Sequence, residues 1–217
     1  MSFETVKSHQ LSKGALVILN EAEALFAQQG FKATSISEIA KQVGGSKANI
    51  YHHFKSKEHL YQEALKLACE HVFKPSDTIL SNNPKQRLKM YISLHLKNMI
   101  EQPNSTNLIK RELMDNNQIE GKLLAKDIFT NTFAKVSSLI VEAYDIKKTN
   151  YNVASIQAFM LIGVNMLFFD TQSVMKYLPD VSSFSSSPEM FSDIMFDFII
   201  NQNAVTTNVP QGGNLNV

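Results

Sequence analysis

Residues 34–58 read Thr34-Ser35-Ile36-Ser37-Glu38-Ile39-Ala40-Lys41-Gln42-Val43-Gly44-Gly45-Ser46-Lys47-Ala48-Asn49-Ile50-Tyr51-His52-His53-Phe54-Lys55-Ser56-Lys57-Glu58. Ser35 followed three residues later by Glu38 is a capping-box pattern, in which each side chain can satisfy a backbone amide that a helix start leaves free. Ile36, Ile39, Ala40 and Val43 then recur at helical spacing, giving one apolar face that must pack. Gly44 and Gly45 can take the positive-φ geometry that stops a helix and redirects the chain. Ser46 is placed to cap a second helix, with Ile50 and Phe54 as its buried stripe.

Opposite that stripe fall Ala48 and His52, flanked by Lys47, Asn49 and Tyr51. A short helix whose outer face carries a lysine, an amide, a phenol and an imidazole suits base edges and phosphates, so the pair of helices reads as a helix-turn-helix entering a DNA major groove. Ser56 is placed to cap a further helix, which puts Lys57 in a first turn whose free amides favour an anion such as a phosphate.

With the preceding amphipathic helix ending Leu25-Phe26-Ala27-Gln28-Gln29-Gly30-Phe31, the runs Thr34-Ser35-Ile36, Glu38-Ile39-Ala40 and Ser46 to Leu60 resemble the DNA-binding domain of the TetR family of bacterial transcriptional repressors. The resemblance covers residues 11–60, about a quarter of the chain. It implies that Thr34 and Ser35 hold phosphates at the start of the second helix. Lys47 and Ala48 would meet base edges, Asn49 and His53 would lie along the backbone, Tyr51 would reach a base or phosphate, and Lys57 would anchor the far strand. Ser46 and His52 complete the expected DNA-binding set. Ile36 stands where some members place a base-reading arginine, so sequence readout is expected to rest on the recognition helix alone.

The charge balance is small but localised. Net charge over the chain is +1, while residues 1–60 hold seven lysines against five acids and the remainder fourteen basic residues against fifteen acids. Arg87 and Arg111 are the two arginines, neither in the DNA-binding half, so guanine recognition would fall to Lys47 rather than to a bidentate guanidinium. A single domain of this charge binds weakly and with salt sensitivity, which favours a dimer spanning two half-sites. His52, His53 and His59 invite a metal reading, but their spacing crosses a helix break and lacks a cysteine or paired carboxylate, and no cofactor motif is present.

The rest of the 217 residues, 44% of them hydrophobic, reads as all-α: a three-helix helix-turn-helix domain followed by a larger helical ligand-binding and dimerisation domain. Leu11, Ala15, Ile18, Ala22, Leu25 and Phe26 predict a helix from about Ser12 to Gln29, ended by Gly30. From Lys57 to Phe73 one stripe (Leu60, Ala64, Leu67, Ala68) faces the DNA-binding core and another (Tyr61, Leu65, Cys69) faces elsewhere, so this helix reads as a link between two bodies. The expected divisions are residues 9–73, 74–202 and a disordered tail at 203–217. Asn83-Pro84 starts a helix that Gln102-Pro103-Asn104 breaks near Glu101, and further helices are expected near Asn107–Asp115, Ile119–Tyr144, Tyr151–Tyr177 and Ser187-Pro188 to Gln202. A lone cysteine excludes an internal disulfide, its stripe predicts a buried thiol, and the lack of a signal pattern predicts the cytoplasm.

Between Ala158 and Phe169 the chain is apolar almost all round, a run too short for a membrane span but fit for burial. With Met190, Phe191, Ile194, Met195, Phe198 and Ile199 it offers more apolar surface than one protomer needs, and the resemblance implies that the last two helices pair with their copies as a four-helix bundle. Polar groups inside apolar runs are the best pocket candidates: His95, Gln157 and Asn165, with Met99, Phe129 and Phe133 around them. The expected function is that of a homodimeric repressor on a palindromic double-stranded DNA operator, released by a small, largely apolar effector that prefers one of two dimer geometries. The rivals are a ligand-independent architectural DNA-binding protein and a helical enzyme; for the latter no nucleophile with its base and no ligand cluster is visible.

Overall fold

The computed structural model describes residues 11–73, 79–114, 130–144, 151–180 and 187–206. The described residues form nine helices and no strand: α1 (Lys13–Ala33), α2 (Ile36–Gln42), α3 (Lys47–His53), α4 (Lys57–Val72), α5 (Pro84–Glu101), α6 (Pro103–Met114), α7 (Thr130–Tyr144), α8 (Tyr151–Met175) and α9 (Pro188–Thr206). By contact, α1–α4 with α6 form one compact unit and α5, α7, α8 and α9 another.

In the first unit, Ser12 caps α1 by accepting from the Ala15 amide, and Gly30, at φ +83° and ψ 169°, breaks its helical geometry where the sequence places the stop. The end of α2 is a Schellman motif: Gly45 N–H donates to Ala40 O at 2.9 Å and Gly44 N–H to Lys41 O at 3.2 Å, with Gly44 at φ +65°. Only the first glycine of the pair needs the left-handed conformation. The core gathers Phe26 of α1, Ile39 of α2, Ile50 of α3 and Leu60 and Ala64 of α4, all fully buried. Phe26 and Phe31 both set their rings edge-on to Tyr61, at 5.0 and 5.1 Å.

The second apolar stripe of α4 is covered by α6, which carries the buried Leu108 and Ile109 and packs on α1 and α4. Division of the sequence at residue 73 assigns α6 to the C-terminal helices, whereas its partners are N-terminal. Tyr61 Oη donates to Glu112 at 2.6 Å, and Ser105 Oγ donates to the buried Glu23 at 2.5 Å while lying 3.2 Å from His71 Nδ1. Cys69 is buried, and burial pushes its thiol far above the ordinary range, so it is an inert packing group.

In the second unit, Asn83 Oδ1 accepts from the amides of Lys85 and Gln86, with Pro84 at the first helical position of α5, as the sequence predicts. Leu88, Ile92 and Leu96 of α5, Val136 and Ile140 of α7, Leu161 and Phe168 of α8 and Phe191 of α9 are buried together. Three expectations are corrected. α6 begins at Pro103 rather than near Asn107, because this proline occupies the first helical turn, where its missing N–H costs nothing. α9 runs to Thr206, four residues into the segment expected to be disordered. The third concerns α8, of which Asn152–Met175 is long and apolar enough to cross a membrane by length and composition, with 44% of its most apolar window buried inside the fold, so shortness alone does not exclude a span. Residues 119–129, 182–186 and 207–217 of the sequence reading lie outside the described residues.

Candidate nucleic-acid interface

Two serine caps fix the helix-turn-helix. Ser35 Oγ accepts from the Glu38 amide at 3.1 Å, and Ser46 Oγ accepts from the Asn49 amide at 3.2 Å, so each hydroxyl keeps its own proton for an outside acceptor such as a phosphate oxygen. Only this half of the expected capping box is formed by Ser35 and Glu38. The Glu38 carboxylate accepts from Gln29 Nε2 at 2.8 Å, tying α2 to the end of α1.

On α3, Ile50 is the buried residue, while Lys47, Ala48, Asn49, Tyr51 and His52 are exposed. Ala48 and His52 lie directly opposite Ile50, as a groove-reading face requires. Tyr51 is 51% exposed, so its ring does not close the small core. Asn49 Nδ2 sits over the turn, 3.3 Å from where a Cβ on Gly45 would stand. His53 is half-buried, with its ring 5.0 Å from that of His52 and its Nε2 near Gly14 of α1. Lys41 and Lys55, exposed before and after α3 in the chain, add positive charge that the sequence motif does not single out.

Two predicted contacts change character. Thr34 is 1% exposed, its hydroxyl donates to Gly30 O at 2.8 Å, and its amide donates to the same carbonyl. Both donors are spent on closing α1, which leaves Thr34 no donor to offer a phosphate. Lys57 lies with its ammonium 4.3 Å from the Phe31 ring centre, and the anion-favouring first turn of α4 already holds a carboxylate: the backbone amide of Glu58 and the Ser56 hydroxyl keep the Glu58 carboxyl below its ordinary range. A DNA phosphate near Lys57 would have to share that turn. Ile36 is buried in the core, so this position serves packing here.

His59 Nδ1 accepts from the Lys55 amide at 3.2 Å and its Nε2 lies 4.0 Å from Glu63. Among the described residues no three His, Cys, Asp or Glu side chains converge as metal ligands.

The pocket candidates lie in the second unit, where His95 and Asn165 come together, with Nδ1 and Nδ2 2.9 Å apart and both residues fully buried. Met99 and Gln157 are buried, Phe133 is half-buried 6.3 Å from the Phe159 ring, and Phe129 lies outside the described residues. Sequence reasoning passed over Tyr91 and Phe73, whose rings stack on His95 at 6.0 and 5.2 Å. For Tyr91 the signal was available, since it stands four residues before His95 on the same helix.

Residues 18–64 match the family described as bacterial regulatory proteins, tetR family. Among characterised proteins, the chain is 32% identical over 68 residues to the biofilm operon icaADBC HTH-type negative transcriptional regulator IcaR of Staphylococcus aureus, covering 31% of this chain and 35% of that one. It is 46% identical over 50 residues to the HTH-type transcriptional regulator QacR of the same organism, covering 23% and 27%. The match thus spans about a third of the length of these relatives. The whole fold is similar to the crystal structure of a TetR-family transcriptional regulator from Bordetella parapertussis, with a TM-score of 0.66 and 21% identity over 87% of this chain and 95% of that one.

Proposed function

Because the chain belongs to the TetR family of bacterial regulatory proteins, we propose that it is a cytoplasmic transcriptional repressor that binds a palindromic operator as a homodimer and is released by a small, largely apolar effector. The observation that carries this reading is the outer face of α3, where Lys47, Ala48, Tyr51 and His52 stand exposed on a helix held rigidly by Ser46 at its start and Ile50 beneath. Ser35 and Ser46 supply phosphate donors, Lys47 the principal base donor, Ala48 an apolar contact for a thymine methyl, and Asn49 and His53 the backbone contacts.

Dimerisation is supported by an exposed apolar stripe on α8, formed by Ile156, Phe159, Met160, Leu167 and Val174 and interrupted by the exposed Asp170, and by Met190, Ile194 and Phe198 on α9. Apolar residues at these spacings give each of the two helices an apolar face that a lone protomer leaves in water. In this reading the first unit with its helix-turn-helix serves DNA, and the second serves effector binding and dimerisation. Half-sites lie about 34–36 Å apart, so an effector that prefers another separation of the two α3 helices releases DNA.

The test is retardation of fragments from the region upstream of the protein's own gene at low salt, with Lys47→Ala and Tyr51→Ala variants beside the wild type. Both variants should bind more weakly while sedimenting as the wild type does, and Lys47→Ala should relax the preference among operator sequences, as loss of a base contact does. Failure of the wild type to retard any such fragment would remove the reading.

A further inference from the structure

Inside the second unit, three polar side chains are sealed from water with hydrogen-bonding capacity unused. His95, Asn165 and Tyr91 are 1%, 0% and 4% exposed. Asn165 Nδ2 and His95 Nδ1 are 2.9 Å apart, and an amide nitrogen only donates, so Nδ1 accepts and the ring proton sits on Nε2. Among the described residues His95 Nε2, Asn165 Oδ1 and Tyr91 Oη then have no partner. Turning the amide over interchanges the roles and still leaves the pair with one unmet donor and one unmet acceptor. Fully buried polar atoms are normally paired, and a conspicuous exception calls for a partner the chain does not supply.

The surroundings restrict what that partner is. Phe73 and Tyr91 lie nearly parallel to the His95 ring, at 14° and 6°, so flat aromatic faces pack beside it. The buried polar residues described in this unit are His95, Asn98, Ser137, Gln157, Asn165 and Ser192, with no carboxylate, lysine or arginine among them. A charged ligand would be buried without a counter-charge, which is strongly unfavourable, whereas a neutral one needs only hydrogen bonds.

We propose that the His95–Asn165 pair is the polar anchor of the effector site, and that the effector is a neutral, largely apolar molecule bearing a hydroxyl or carbonyl group. This inference rests on the effector response proposed above and specifies its chemistry. Burial holds the His95 imidazole neutral, with its pKa down at about 4, so at cellular pH the anchor offers a hydrogen bond and no charge. A trapped water on the same atoms is the competing occupant.

Three probes of equal chain length separate the possibilities on the full-length protein: 1-decanol, decanoate and decyltrimethylammonium, titrated calorimetrically against the wild type and a His95→Phe/Asn165→Leu variant. Decanol should bind at least tenfold tighter than either charged analogue, and the double variant should weaken it at least tenfold. That variant replaces both polar partners by apolar groups, so it should melt at or above the wild type. In the wild type alone, the nitrogen resonance of His95 Nε2 should move on addition of decanol. Equal or tighter binding of a charged analogue, undiminished decanol binding by the variant, or an unmoved His95 signal each overturns the proposal. If decanoate or the ammonium binds instead and releases DNA, the chemistry assigned here is wrong and the effector response stands. If the wild type retains no DNA, the underlying functional reading fails.

Discussion

The guanidinium of Arg111 lies against Gly30, so close that a Cβ on the glycine would stand 3.2 Å from Arg111 Nη1. From there Arg111 donates to Ala27 O at 3.3 Å and Gln28 O at 3.0 Å, a cation from α6 closing the carbonyl end of α1 before the break. A positive charge at a helix C-terminus is stabilising in its own right. The helix that presents the DNA-binding core is therefore finished by a side chain more than eighty residues away.

Gly30→Ala should be strongly destabilising for two reasons. The position has φ +83° and ψ 169°, a region essentially restricted to glycine, at a cost of about 1–3 kcal/mol for another residue. The new Cβ would also displace Arg111. Arg111→Met should lower stability by a smaller amount, and because both changes disturb one contact, Gly30→Ala/Arg111→Met should lose less than the sum. Urea unfolding of the four proteins measures the coupling, and strict additivity would show that Arg111 and Gly30 do not act together.

Local chemistry explains why some of this was legible in sequence and some was not. Gly44, the Ser35 and Ser46 caps and Asn83-Pro84 all act within a few residues, so the elements they bound were readable from the chain. Pro103 misled because the same residue ends one helix and opens the next, and the two uses look alike without the geometry. Thr34 was expected to hold a phosphate on the resemblance alone, and its hydroxyl turns instead to Gly30 O, four residues back, from a buried position. The placement of α6 depends on Ser105, Arg111 and Glu112 meeting Glu23, Ala27, Gln28 and Tyr61, distant pairings with no periodic signature. The pairing of His95 with Asn165 was visible only as two polar residues inside apolar runs.

His95 should make the second unit sensitive to acid. Its pKa is about 4 in the folded protein and near 6.5 in the unfolded chain, so between these values the unfolded state binds the extra proton. Stability is complete above pH 6.5 and is lost as pH falls towards 4, by about 3 kcal/mol if that shift is fully expressed. Urea midpoints measured from pH 7.5 to 4.5 should fall in the wild type and fall much less in His95→Phe. Parallel curves for the two proteins would show that the imidazole does not titrate with unfolding.

Glu23 should act in the opposite direction. Burial raises its pKa, while the Ser105 hydroxyl and then the charge of His71 oppose the rise. The native state thus holds its proton to higher pH than the unfolded state does, and its contribution is full below the unfolded value and lost as pH rises through the raised one. Ser105→Ala removes the main hydrogen bond to the carboxylate, a bond worth roughly 1.5–3 kcal/mol to a charged group and less to a neutral one. The loss on Ser105→Ala should therefore be greater at pH 7.5 than at pH 4.5, and Glu23→Gln should abolish that pH difference. An equal loss at both pH values would place Ser105 in packing rather than in charge stabilisation.

Gly163 offers the sharpest separation of a protomer's needs from a dimer's. It lies within the exposed stripe of α8, between Met160 and Leu167, and a Cβ built on it meets nothing within 4 Å. For an isolated protomer, any side chain fits there, and replacing glycine in a helix interior gains up to about 1 kcal/mol. If a second copy packs its helices on this stripe, the bare backbone at Gly163 lets it approach closely, and a large side chain forces the copies apart. Gly163→Leu should accordingly keep its helical circular dichroism and sediment as a monomer, and it should bind DNA weakly because each half-site contact acts alone. Phe159→Glu, which puts a charge on the same stripe, should do likewise. A Gly163→Leu protein that remains dimeric with unchanged DNA retention would move the interface away from this face.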